Sequence, residues 1–253
     1  MFREDYEAAA KGAAGKIAFL KGNPAGYFLL SMLAGFFIGF GVLLAFTVGG
    51  TLSGSPATKL AMGAVFGIAL SLVVTAGAEL FTGNNLVMFT GLVKGTVKFG
   101  DALLLWIICW LGNAAGGILL AFLYHLTGLG NGAVGDFMAE SALTKMTLSP
   151  AAMITRGILC NMLVCLAVWC GFRLKTEAGK LIMVFWCLLA FITTGFEHSV
   201  ANMTLLSVAL LHPAGTAVSI GGWFTNLGLV TLGNMIGGIL FVGVPYFIAQ
   251  RKP

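Results

Sequence analysis

The sequence predicts an all-α polytopic membrane protein. It has six transmembrane helices arranged as two inverted three-helix repeats, with the second and fifth spans broken. Three observations predict this class. Of the 253 residues, 58% are hydrophobic and only 9% charged, and the mean hydropathy is +0.98. A soluble domain carries about 25% charged residues, so this chain has too few to cover a water-facing surface. The apolar residues fall into six segments, near 26–48, 60–91, 102–127, 151–172, 181–211 and 222–249. Finally, two pairs of short sequences recur at nearly one offset between the halves.

The elements follow in chain order. The first 24 residues lack the long apolar core of a signal peptide and read as a short amphipathic helix ahead of the first span. A helix crosses the hydrocarbon core in about 20 residues. Segments two and five are too long for one simple crossing, and each holds a Glu among small or polar residues at its middle. The expected organisation is a single transmembrane domain: 1–24 a cytoplasmic amphipathic helix, 25–128 repeat one, 129–150 an outer loop and 151–253 repeat two. Eleven Lys and Arg fall on one side: Arg3, Lys11, Lys16, Lys21, Lys94, Lys98, Arg173, Lys175, Lys180, Arg251 and Lys252. The other side has Lys59, Lys145 and Arg156. Basic residues concentrate in cytoplasmic loops, so both termini are expected in the cytoplasm.

The repeat is legible in two places. "LGNAAGGIL" at 111–119 and "LGNMIGGIL" at 232–240 are identical at seven of nine positions, 121 residues apart. "GAELFTGN" at 77–84 and "GFEHSVAN" at 195–202 share Gly, Glu and Asn at matching positions, 118 residues apart. Three spans per half is odd, so the second half enters the membrane upside down, as in many channels and transporters. The two odd stretches then meet near the midplane, and Gly77, Gly83 and Gly195 allow the helices to break there. Irregular backbone at that depth survives where protein or a water-filled cavity satisfies it. Glu79 and Glu197 are expected to accept hydrogen bonds from the backbone N–H groups the breaks set free. Four Gly-x-x-x-Gly pairs, Gly35–Gly39, Gly63–Gly67, Gly112–Gly116 and Gly233–Gly237, are expected to let helices approach closely.

Of three histidines only His198 lies mid-membrane. A charged side chain at the bilayer centre costs roughly 2.5–3.5 kcal/mol on insertion scales, so an ionisable group there marks a candidate functional site. A haem needs a second axial ligand, and a zinc site needs three or four close ligands; neither pattern is visible, so no cofactor, metal or catalytic group is expected. The five cysteines all lie in apolar runs and read as small buried hydrophobes. The net charge of +5 forms no patch with aromatic residues, so no nucleic-acid partner is expected. The remaining role for His198 is to handle a permeating solute, since imidazole donates, accepts and titrates near neutral pH. Thr82, in the matching stretch of the first half, offers a hydroxyl from the other side.

"AELFTGN", "CNMLVCLAVW" and "GFEHSVANMT" resemble the formate/nitrite transporter family over essentially the whole chain, and "WCLLAFITTGFEHSVANMTLL" resembles its nitrite-channel branch. The resemblance implies an aquaporin-like fold, a homopentamer in the bacterial inner membrane and one pore per protomer. It implies a channel for small monovalent anions, nitrite foremost, with formate and hydrosulfide as alternatives because members for all three share the core motifs. It implies no enzymatic activity. A water or neutral-solute channel is a further alternative, although the paired Asn-Pro-Ala signature of aquaporins is absent. Carried over by position, Phe66, Leu70, Leu80, Phe81 and Phe191 match constriction residues. Thr82 and His198 match the central hydrogen-bonding pair, and Glu197 matches the acid preceding the histidine. Lys145 matches a vestibule lysine that attracts anions, and Asn161 and Asn234 match asparagines lining the vestibules. Residue type alone does not separate pore lining from packing at Phe66, Phe81 and Phe191, nor an anion collector from a solvated loop lysine at Lys145.

Overall fold

The computed structural model describes residues 2–250. The charges predicted at Arg251 and Lys252 lie outside the described residues. Helix α1 covers Arg3–Gly22. Its buried residues Tyr6, Ala9, Ala10, Ala13, Ile17 and Leu20 recur every three or four positions, giving one apolar stripe. Six helices are long and apolar enough to cross a membrane: α2 (Pro24–Thr51), α3 (Thr58–Gly77), α5 (Phe99–Leu126), α7 (Pro150–Arg173), α8 (Glu177–Thr194) and α10 (Ile220–Ala249). Two shorter helices, α4 (Phe81–Val93) and α9 (Ser199–Leu211), complete the broken second and fifth spans. Among the described residues there is no strand.

Local signals set the helix starts. Asn23 and Ser149 accept from Gly26 N–H and Ala152 N–H, and each is followed by a proline at the first helical position. That pairing satisfies an orphan donor and needs no N–H from the proline. Thr176 and Ser219 cap α8 and α10 in the same way, through Gly179 N–H and Gly222 N–H.

One element departs from the sequence reading. Residues 129–150, read as a loop, contain a helix, α6 (Ala133–Met146). Its buried Met138, Ala139, Ala142 and Met146 form a short apolar stripe. The charges Asp136, Glu140 and Lys145 interrupt the composition and hide that stripe from a reading based on apolar runs.

The two halves pack alike. A side chain at Gly116 on α5 would strike Met32 O on α2, and one at Gly237 on α10 would strike Ile158 O on α7. Only hydrogen at these positions allows the helix backbones to approach so closely. The outer faces of the spans are apolar and exposed, for example Leu103, Leu104, Ile107 and Leu111 on α5. Helix α1 packs against α4, α2, α7 and α5. Ion pairs from Asp5 to Arg173 (3.1 Å) and from Lys21 to Asp101 (2.7 Å) hold it there.

Candidate functional site

Each broken span turns at a glycine. Gly77 and Gly195 have φ of +81° and +80°. A side chain there would be strained, which is why the two motifs share this residue. The chain then runs extended for a few residues before α4 and α9 begin. The freed backbone groups are satisfied by the same device twice. Glu79 N–H donates to Leu30 O at 3.2 Å, and Glu197 N–H donates to Arg156 O at 3.3 Å. The Asn113 side chain accepts from Phe81 N–H (2.9 Å) and donates to Glu79 O (2.9 Å). The Asn234 side chain accepts from Ser199 N–H (2.9 Å) and donates to Glu197 O (3.0 Å).

This corrects the expectation for the two glutamates. Their carboxylates do not take the freed N–H groups. An amide can accept and donate at once, so it serves both the N–H and the C=O across a break, whereas an ionised carboxylate only accepts. Glu79 instead accepts from Lys16 Nζ (2.6 Å), Tyr27 Oη (3.1 Å) and Asn84 Nδ2 (2.9 Å). Glu197 accepts from Lys145 Nζ (2.7 Å) and Asn202 Nδ2 (2.7 Å). Each motif's Gly, Glu and Asn therefore form one unit: the turn, the acid and the amide that holds the acid. A lysine from a peripheral helix, α1 or α6, completes it. Sequence reasoning missed Lys16, counting it only among the charges of the N-terminal helix, because no motif marks it. It missed Asn113 as well, although the signal was present: "LGN" recurs with Asn at the same place in both halves.

His198 stands at the N-terminus of α9. Its Nδ1 accepts from Ala201 N–H at 3.0 Å, capping the helix. A ring nitrogen that accepts carries no proton, so in the neutral ring the proton sits on Nε2. Nε2 lies 3.1 Å from Thr82 Oγ1 and donates to it. The predicted pair thus forms across the two half-helices. Phe191 stacks on the imidazole with centroids 5.8 Å apart, and Phe66 meets Phe191 edge-on at 5.6 Å.

Three cavities lie in a row through this centre. One of about 560 Å³ opens on the side of α6 and is lined by Lys59, Lys145, Arg156, Glu197, Phe66, Phe191 and His198, among others. One of about 340 Å³ opens on the side of α1, with Lys16, Lys180, Asn84, Leu70 and Leu80 in its wall. Between them lies a space of about 10 Å³ lined by Phe66, Leu70, Leu80, Phe191, His198 and three other apolar residues. That is room for roughly one water. Phe66 and Phe191 are shared by the centre and the α6 side, and Leu70 and Leu80 by the centre and the α1 side. Four of the five predicted constriction residues therefore gather as two apolar rings around His198.

The remaining predicted residues fall elsewhere. Phe81 is buried and lines none of these cavities; its ring packs in the core and its N–H is the one Asn113 takes. Asn161 and Asn234 are fully buried and do not line the vestibules. Asn161 donates to Thr82 O (3.3 Å) and Asn234 O (2.6 Å), and Asn234 closes the second break. Buried amides are kept where they meet backbone groups, and of the two only Asn234 serves groups that the break sets free. Lys145 does face the α6-side cavity, but its ammonium is committed to Glu197. Among the described residues no three His, Cys, Asp or Glu side chains gather as a metal site.

The family model for formate/nitrite transporters matches residues 3–248. This chain belongs to the formate/nitrite transporter family. It is 40% identical to the nitrite transporter NirC of Salmonella typhimurium, over all of this chain and 93% of that protein. Its fold superposes on a solved structure described as an FNT family ion channel with a TM-score of 0.93, at 38% identity, covering 98% of this chain and 99% of the other. A pentameric formate channel with formate bound gives a TM-score of 0.79 at 29% identity, covering 90% and 97%. Both broken spans, with the cavities between them, fall inside the matched region.

Proposed function

We propose that this protein is a multi-pass channel for small monovalent anions, nitrite foremost, and that it works as a homopentamer in the bacterial inner membrane with one path per protomer. The observation that carries the reading is the row of cavities: two vestibules meet at a single titratable side chain enclosed by apolar rings. Such a centre suits a solute small enough to shed its water and able to exchange hydrogen bonds with imidazole. An anion crossing apolar rings loses hydration, which is costly unless a polar group compensates. The Nε2–H of His198, with the Thr82 hydroxyl behind it, is that group. Full-length similarity to a nitrite transporter favours nitrite over formate. No part of the reading needs catalysis.

The test is uptake into proteoliposomes of nitrite, formate and hydrosulfide at one pH. The expected order places nitrite first. Formate or hydrosulfide ahead of nitrite would change the substrate and keep the path; water conduction with no anion uptake would overturn the reading. Orientation follows from the charges. With α1 and the other basic loops in the cytoplasm, the α1-side cavity is the inner one and the α6-side cavity the outer. A reporter active only in the cytoplasm, fused after the last residue, is expected to be active; silence in well-expressed protein would reverse the assignment.

A further inference from the structure

Each half-helix has a front on the cavities and a back. On α9 and its cap, His198, Ala201, Asn202 and Leu205 line the α6-side cavity. On α4 and its cap, Leu80, Gly83, Asn84 and Val87, each 118 residues earlier, line the α1-side cavity. Spacings of three and four put each set on one helical face. Met203 and Thr204 on α9, and Asn85 on α4, are buried on the other side. The second glycine of each repeated pair meets these backs, and the pairs are crossed between the halves. Gly117, from "LGNAAGGIL" in the first half, faces α9 of the second: a Cβ there would lie 2.9 Å from Thr204 Oγ1 and 3.3 Å from Met203 Cβ. Gly238, from "LGNMIGGIL" in the second half, faces α4 of the first: a Cβ there would lie 3.2 Å from Asn85 Cβ, 2.8 Å from Asn161 Nδ2 and 2.7 Å from Cys165 Sγ. Asn161 and Cys165 both donate to Thr82 O, at 3.3 and 3.5 Å, so crowding at Gly238 reaches Thr82 as well.

We propose that Gly117 and Gly238 are positioning residues that set the width of the path at the His198–Thr82 centre, so that selection by size is fixed from behind the half-helices. The inference rests on the transport reading, since width matters only where a solute passes. The space at the centre is about 10 Å³, so small displacements count there. A Cβ at Gly117 must drive Thr204 away by roughly 0.5 Å to reach ordinary contact. Helix α9 has no slack behind it, because Gly39 on α2 also abuts Thr204: a Cβ at Gly39 would lie 2.9 Å from the same Oγ1. A close-packed interior transmits such a displacement instead of absorbing it, and the free side of α9 is the one that carries His198.

Hydrosulfide, with a single heavy atom, and nitrite, a bent triatomic ion, are the two probes. Uptake of each into proteoliposomes is measured at one pH and expressed per assembled oligomer. Gly117→Ala is expected to raise the hydrosulfide-to-nitrite flux ratio at least about threefold, less than one methylene discriminates in a fitted site. Gly238→Ala is expected to move the ratio in the same direction from the other half. Thr204→Ala removes the atom that the new Cβ strikes and leaves Met203 Cβ, at 3.3 Å, as the nearest neighbour. Gly117→Ala combined with Thr204→Ala is therefore expected to return the ratio to its wild-type value, which loss of packing alone would not do. Thr204→Val applies a milder push if Gly117→Ala does not assemble. Thr204 Oγ1 has no hydrogen-bond partner among the described residues, so the added methyl brings bulk and breaks no bond. A wild-type ratio in every glycine or valine variant that assembles, or a Gly117→Ala ratio that Thr204→Ala does not bring back, overturns the proposal. Failure of the transport reading shows separately, as wild-type protein that passes neither anion.

Discussion

Asn234→Leu is expected to abolish the folded channel. The side chain of Asn234 is fully buried and reaches across the second break. Removing its amide leaves Ser199 N–H and Glu197 C=O, both on buried residues, without these partners. Each buried group left unsatisfied costs about 1–3 kcal/mol, so the pair costs about 2–6 kcal/mol. Folded proteins hold only about 5–15 kcal/mol in reserve. The amide also donates to Gly157 O at 2.8 Å, tying α10 to α7. Leucine keeps the branched shape of asparagine but is bulkier, so overpacking adds to the polar loss. Asn234→Asp keeps an acceptor for Ser199 N–H and loses both donated bonds, and is expected to fall between the two. Thermal unfolding and the yield of monodisperse protein in detergent are the measurements. Asn113→Leu should behave in the same way, because Asn113 makes the corresponding bonds to Phe81 N–H and Glu79 O. A wild-type melting temperature in either leucine variant would mean that these amides do not hold the breaks.

That symmetry explains how far the sequence could be read. Six apolar segments and the Lys and Arg asymmetry were enough for the class, because membrane crossing depends on composition over about 20 residues. Gly77 and Gly195 were legible as break points because only glycine adopts a φ near +80° freely. His198 stood out because an ionisable residue inside an apolar run is costly. The partners of the two glutamates were not legible. Lys16 and Glu79 are 63 residues apart, and Lys145 and Glu197 are 52 apart. Such contacts depend on where α1 and α6 dock, and docking is set by small apolar stripes that composition does not show. The asparagines illustrate the opposite error. Resemblance put Asn161 and Asn234 in the vestibules, but a buried break needs a group that both donates and accepts, and Asn234 is used there, while Asn161 donates to carbonyls of α4 and α10. Phe81 was misplaced for a related reason. It opens α4, and in an extended-to-helix transition one residue faces the path while its neighbour turns away; here Leu80 takes the path and Phe81 the core.

His198→Asn is expected to change the shape of the flux–pH curve while leaving the protein assembled. Asparagine is a good helix N-cap and keeps an acceptor for Ala201 N–H. It also keeps an N–H donor for Thr82 or a passing anion, but it does not titrate in this range. Whatever part of the pH dependence belongs to the ring is therefore removed without removing the hydrogen bonds. In the folded centre Nδ1 is taken by Ala201 N–H, so a doubly protonated ring and a capped α9 are alternatives. Proton handling by His198 is thereby coupled to the first turn of the half-helix, and asparagine uncouples them. Flux at the wild-type optimum is expected to fall about fivefold, the roughly 1 kcal/mol by which a hydrogen bond involving a charged donor exceeds one from a neutral amide. Phe191→Ala is the comparison. It removes the ring stacked on His198 and opens the apolar ring on the α6 side, so selection among anions should weaken while the pH midpoint stays where it is. Both variants are assayed in proteoliposomes across pH, after recovery of the assembled oligomer shows that each has folded. A wild-type pH profile in His198→Asn would show that another group handles the proton. The imidazole would then act only as a helix cap and a hydrogen-bond donor, and a neutral amide in its place between the two apolar rings would carry the anion equally well at every pH.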